Sequence, residues 1–478
     1  MMKTTEYLAH DAVGLAQLVA KGAITAPELA QVSIGIIEAL NPLLNAVICK
    51  DYERALKDAQ QKKTGPLAGV PFLLKDVYLE SEGMPTTYGS KYLKGRASKP
   101  DSVLVSRWRQ AGLTILGKTN APEFAADFVT EPAAYGKTIN PWNAQLTVGG
   151  SSGGAACAVS SGMVPIAHAT DLGGSIRIPS ACCGLYGFKP TSGLNTVAPY
   201  FREIAHGLNS DHVLTRTVRD SAASLDITVD PATSNTNYLD GHLMGPGKLR
   251  IVATVHAADG TLAGPRQVSA VEATITMLRE NGHDVVLLDR SPLVPVGGWF
   301  DLLWIDDIHS LLSERRLDLG YEPRTQDLEP LTWLSLKTLK EHGPDGLAEA
   351  LRAREETKRA HLELFNRYDI LLTPSLATDP AKIGTIGFLD HDSVQSWAEA
   401  GYGFAPFFIL ANVAGQPAAS LPFPDTKGDV PVGIQIMAAP HRDLLILQLS
   451  RQLEQLFDWQ SAYRRHWEAM GKHLPLPF

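Results

Sequence analysis

Residues 149–179 read GGSSGGAACAVSSGMVPIAHATDLGGSIRIP, so a Gly-Gly-Ser ending at Ser151 is followed 24 residues later by another ending at Ser175. Glycine has no Cβ and tolerates positive φ, which lets a backbone come close to a bound group. Amides in such loops point inward and stabilise negative charge. The serines can supply a nucleophile and a proton relay. Between the two loops, 155–162 has a helical pattern and Met163–Ala167 is a short apolar run. The same alternation extends outward. Apolar runs at 69–75, 113–116, 249–255, 285–288, 370–373 and 432–437 read as strands. Helical patterns cover 102–111, 218–229, 266–281, 345–367 and 443–457. Thr25-Ala-Pro-Glu28 reads as a capping box opening a helix that carries Leu29, Val32, Ile36, Ile37 and Leu40 and stops at Asn41-Pro42. Strands alternating with helices predict an α/β fold whose mixed sheet is covered by helices on both faces. No long Gly/Ser/Pro linker or internal repeat divides the chain, so residues 1–478 are expected to form one large domain.

The bulk properties narrow the function. The chain has 478 residues, 44% of them apolar and 20% charged, with a formal net charge of −8. That is a globular composition, and its acidic balance lacks the footprint of phosphate-backbone binding, so nucleic acid is not an expected partner. The N-terminus reads as an amphipathic helix with Leu8, Val13, Leu15, Leu18 and Val19 inward, rather than a signal peptide. No apolar run approaches the roughly 20 residues that span a bilayer. Cys49, Cys157, Cys182 and Cys183 form no C-x-x-C pair, and the adjacent two sit among apolar residues as small hydrophobes. A reduced, cytoplasmic protein is expected.

Three patterns compete as chemical motifs. Residues 112–119, GLTILGKT, satisfy the phosphate-loop spacing. Their interior is strand-like, however, and Asn120-Ala121-Pro122 interrupts the helix that should follow. Gly149–Gly153 and Gly150–Gly154 both fit G-x-S-x-G, but the preceding 140–148 is loop-like where a nucleophile elbow needs a strand. His168, His206, His212 and His361 follow, none in a setting that suggests catalysis. Lys75 ends the apolar run 70–74. Alone it reads as a solvated charge, whereas in a desolvated site it can act as a general base.

Taken together, GGSSGG (149–154) and TDLGGSIRIP (170–179) resemble the amidase signature family. The likeness extends to GVPFLLKD (69–76), GKTNAPEF (117–124), NPW (140–142), CGLYGFKP (183–190), LLTP (371–374), GQP (415–417) and PVGIQ (431–435). It covers nearly the whole chain, strongest over about 65–220 and weakest over about 230–365, which the resemblance marks as a variable substrate-pocket region. It implies a Ser–cis-Ser–Lys triad with Ser175 as nucleophile, Ser151 following a cis peptide, and Lys75 as base. The implied oxyanion donors are the N–H groups of Leu172, Gly173, Gly174 and Ser175. Gly149, Gly150, Ser152, Thr170, Asp171 and Arg177 would support the site, the last two as a structural ion pair. No metal or cofactor is implied. The chain departs from the commoner pattern at Ala169 and Val77, two changes expected to reshape the pocket wall.

The resemblance implies hydrolysis of a small-molecule carboxylic amide through an acyl-enzyme, by an enzyme that is commonly a homodimer. Alternatives are the glutaminase subunit of a tRNA-dependent amidotransferase, whose 300–340 segment this chain does not match, and a silent binding protein on the same scaffold. Residues 328–333 and 164–168 resemble the branch that hydrolyses 6-aminohexanoate oligomers, which points to small linear, aryl or ω-amino acyl amides. Residues 196–212 (with Pro199, Tyr200, Phe201 and His206) and 299–304 are expected to line the acyl pocket. Trp299 and Trp304 alternatively read as helix core.

Overall fold

The computed structural model describes residues 2–424 and 430–470. Its strands are β1 (Val47–Lys50), β2 (Pro71–Lys75), β3 (Thr114–Thr119), β4 (Ile166–Asp171), β5 (Tyr186–Lys189), β6 (Ser210–Thr215), β7 (Arg250–Ala253), β8 (Asp284–Leu287), β9 (Ile370–Pro374), β10 (Ala418–Phe423) and β11 (Val432–Met437). They form one mixed sheet in the order β1-β3-β2-β4-β6-β5-β10-β11-β9-β7-β8. At one end, β2 runs parallel to β3 and β4; at the other, β7 runs parallel to β8 and β9. Antiparallel pairs join the two ends through β6, β5, β10 and β11. Every residue of β2, β3, β4 and β11 is buried. A strand buried at every position has both of its faces covered, which the helices provide.

Most helical patterns fall where the periodicity puts them. Helices occupy Val103–Gln110, Gly153–Ser160, Val218–Thr228, Pro265–Glu280 and Asp443–Phe457. Four readings are corrected. The N-terminal helix is two, Thr4–Leu8 and Ala12–Ala20, because the Asp11 carboxylate caps the second by accepting the Gly14 N–H. The helix after Thr25 runs through Pro42 to Leu44 and ends at Asn45, whose φ is 51°. Asn41 does not stop it; its side chain instead receives the Ala46 and Val47 N–H groups and ties the helix end to β1. The pattern placed at 345–367 belongs to a longer helix, Pro330–Leu362, broken at Gly343, where φ is 61° and Pro344 follows. The run at 163–167 becomes a strand only from Ile166 and then continues into the motif itself.

Strands β1, β5, β6 and β10 escape the sequence reading. In β6 the residues Ser210-Asp-His212 are polar yet buried. Hydropathy does not mark such a strand, because its polar side chains are satisfied by partners distant in sequence.

Candidate active site

The parallel strands β3, β2 and β4 deliver their carboxyl ends to one place, the usual site location in sheets of this kind. Lys75 ends β2, opposite Thr119 of β3, and Thr170 and Asp171 end β4. The Lys75 side chain is wholly buried, with Nζ 2.7 Å from Ser151 Oγ and 2.8 Å from Thr170 Oγ1. Burial lowers its pKa to about 7 against the opposing pull of Asp211 and Asp171. At neutral pH a substantial fraction of this amine is uncharged and has a lone pair to accept a proton.

Ser151 follows a cis Gly150–Ser151 peptide. Gly150 is required by space, since a Cβ there would stand 2.5 Å from Val129 O. Gly149 is held at both ends, its N–H donating to Thr147 Oγ1 and its carbonyl accepting from Thr130 Oγ1. Ser152 Oγ bonds the Thr170 backbone, and the Ser152 N–H donates to Ser175 O at 3.3 Å, so the two glycine loops are tied back to back. Ser175 is half-buried and its hydroxyl has no hydrogen-bond partner among the described residues. It lines a cavity of about 60 Å³ together with Leu172 and Gly173.

The loop 172–176 is shaped by Asp171 and Arg177, both fully buried. Asp171 Oδ1 accepts the Gly174 N–H at 2.8 Å, and Oδ2 accepts the Ile176 N–H at 3.2 Å. Arg177 spends all of its side-chain donors: Nε and Nη2 go to Asp171, Nη2 also to Asn412, and Nη1 to Phe408 O and Gln435 Oε1. The pairing with Arg177 holds the Asp171 carboxyl below its ordinary pKa despite burial. This revises one of the expected oxyanion donors. The Gly174 N–H is directed at Asp171, which leaves Leu172, Gly173 and Ser175 as the loop amides without a partner among the described residues.

Other residues fall differently from expectation. His168 lies directly behind the lysine: its Nδ1 accepts the Lys75 backbone N–H at 3.2 Å, and its Nε2 is 3.1 Å from Asp211 Oδ1. Since Nδ1 accepts, the proton resides on Nε2 and is donated to Asp211. The resemblance at 164–168 includes His168 but gives it no role, because its partners lie on β2 and β6. None of residues 196–212 lines the cavity; Phe201 packs edge-on against Tyr78, which does. Trp304 lines it and Trp299 does not, both being in the helix Trp299–Leu319. Ala169 and Val77 are buried away from the wall. The remaining wall includes Phe128, Phe300, Trp397 and Tyr402, all four outside the motifs. Tyr78, Phe124 and Ala125 also line it with φ between 52° and 58°, a region that residues with a Cβ enter rarely and mostly at functional sites. Lys118, from the phosphate-loop look-alike, is buried and bonded to Thr86 Oγ1 and Pro85 O, 3.4 Å from Asp76. Among the described residues no helix is long and apolar enough to cross a membrane.

The chain is similar over nearly its whole length to known proteins. Over 94% of its length the chain is 34% identical to the 6-aminohexanoate-cyclic-dimer hydrolase of Paenarthrobacter ureafaciens, covering 95% of that protein. The solved structure of a 6-aminohexanoate cyclic dimer hydrolase is similar with a TM-score of 0.88 and 32% identity, over 95% of this chain and 98% of that one. A bacterial aryl acylamidase of the amidase signature family follows at a TM-score of 0.84 and 25% identity, over 96% and 98%. The Amidase family matches residues 28–447, and the chain belongs to this amidase signature family of amide-bond hydrolases.

Proposed function

We propose that this chain hydrolyses small linear, aryl or ω-amino acyl amides through an acyl-enzyme on Ser175. Neutral Lys75 accepts the Ser151 proton while Ser151 accepts the proton of Ser175, whose Oγ attacks the amide carbon. The carbonyl oxygen gains negative charge and is met by the N–H groups of Leu172, Gly173 and Ser175. On collapse the C–N bond breaks, and Ser151 returns the proton to the departing amine. Water then adds to the acyl-enzyme by the same relay, releasing the acid and restoring Ser175.

The observation that carries this reading is the 2.7 Å contact between Lys75 Nζ and Ser151 Oγ in a site where burial brings the lysine to about 7. The cavity wall of aromatic rings around Ser175 suits an apolar acyl or aryl group. The test is Ser175→Ala together with fluorophosphonate labelling of the wild type. The variant is expected to lose amide turnover by at least about 10⁴-fold and to lose the label. Retained turnover, or a wild type that takes no label at Ser175, contradicts the proposal.

A further inference from the structure

A second and much larger cavity adjoins the one at Ser175. Its volume is about 940 Å³, against about 60 Å³ at the serine. Phe300 and Tyr402 line both, so these two rings form the wall between them. The Phe300 ring lies against the loop that carries the nucleophile, 3.4 Å from where a Cβ on Gly173 would stand. Tyr402 is set by its hydroxyl, which donates to Asp301 Oδ1 at 2.6 Å. Small residues make the outer room: Gly346, Ala350 and Ala353 on the helix Pro330–Leu362, and Ala398 and Gly403 on the helix Val394–Phe404.

The lining is chemically one-sided. Val294, Val296, Leu302, Ile305, Ile409 and Leu410 supply an aliphatic interior. The acidic and basic side chains are the carboxylates of Asp259, Asp301, Glu349 and Glu399 and the imidazole of His342; among the described residues no lysine or arginine lines the cavity. Asp301 is occupied by Tyr402 and by Trp304 Nε1, whereas Asp259, Glu349 and Glu399 are exposed. An aliphatic chain gains from the interior, and a terminal ammonium is favoured over a carboxylate by the surrounding charge.

We propose that the outer cavity is a second substrate subsite, which takes the aliphatic remainder of an ω-amino acyl amide and holds its terminal ammonium away from the reacting carbonyl. This rests on Ser175 being the nucleophile and adds to that reading the place where the ω-amino acyl chain and its charge are held. A chain held there crosses the wall between Phe300 and Tyr402, so selectivity for chain length resides in the outer cavity and chemistry in the inner one.

The test compares acetanilide with ω-amino acyl anilides from glycyl to 6-aminohexanoyl, on the wild type and on Ala353→Trp and Ala398→Trp. These substitutions fill the outer cavity from two different helices. For the wild type, kcat/KM is expected to rise with chain length by up to about fourfold per buried methylene. Either blocking variant should flatten the rise, read as the ratio of each ω-amino acyl anilide to acetanilide on the same variant. Among chains of equal length, ammonium-ended substrates should exceed N-acetylated ones, and carboxylate-ended ones should be poorest. A flat series in the wild type, an undiminished rise in both blocked variants, or a preference for the carboxylate end overturns the subsite. Acetanilide turnover separates the two readings: its retention with a flat series removes this inference alone, and its absence together with absent labelling at Ser175 removes the nucleophile assignment.

Discussion

Lys75 closes β2 and Lys118 lies beside it in β3, both with fully buried side chains, yet their surroundings are opposed. Lys118 points to Asp76, 3.4 Å away, and to Thr86 Oγ1 and Pro85 O. Asp76 is held in turn by the N–H and hydroxyl of Thr87. Among the described residues the Lys75 amine meets only the hydroxyls of Ser151 and Thr170, with Asp171 engaged by Arg177 and Asp211 engaged by His168 and Asn209. One buried amine therefore has a carboxylate within ion-pair reach and the other does not. Burial against hydroxyls alone favours an uncharged amine, whereas a carboxylate within reach opposes that effect.

Exchanging each lysine for methionine tests that contrast most severely. Lys75→Met is expected to lower kcat/KM for an amide by at least about 10⁴-fold. Its thermal midpoint should stay level or rise, because the change removes a desolvated amine. Lys118→Met should do the reverse: it leaves the Asp76 carboxylate without its cation, costs about 3–5 kcal/mol in denaturant unfolding, and leaves turnover intact in the folded fraction. Equal stability losses in the two variants would break the comparison.

The pH dependence sharpens it. With Lys75 at about 7, the neutral fraction falls about tenfold per pH unit below that value, so log kcat/KM should climb with unit slope and level off above it. The groups facing this amine are Asp171, Asp211 and His168, and the two carboxylates keep its pKa from falling further. The folded-state value lies below the unfolded one of about 10.4. The unfolded chain therefore binds more protons between the two, and this group's contribution to stability rises with pH across that window. A rate profile flat from about pH 5 to 8 contradicts a neutral-amine base.

The smallest effect concerns His168. Replacing it with leucine removes the acceptor of the Lys75 N–H and the donor to Asp211, and should cost about 1–3 kcal/mol in stability. With Asp211 less neutralised, Lys75 is more readily charged, and the acid limb of the rate profile should move to higher pH. Stability lost without any displacement of that limb would confine His168 to a packing role.

Much of the site was legible because its requirements are local. A glycine at 150, where a Cβ would strike Val129 O, is written into the sequence at that position. The ion pair of Asp171 and Arg177 spans one short loop. What stayed hidden involves long separations. His168 lies 93 residues from Lys75, and Phe128 meets Trp397 with ring centroids 5.2 Å apart although they are 269 positions apart in the chain. Strand β6 opens with polar residues and β5 ends in Lys189, all buried, and their burial depends on neighbours rather than on their own hydropathy.

The sequence by itself determined the alternation of strand and helix, the two glycine-serine loops and the candidate reacting side chains, because periodicity and the absence of a Cβ act within a few residues. Tertiary structure alone decided that Lys75 lies among hydroxyls, that the Gly174 amide turns toward Asp171, and that two aromatic rings divide a small chamber from a large one. Those outcomes depend on which strands become neighbours and on how much water their packing excludes.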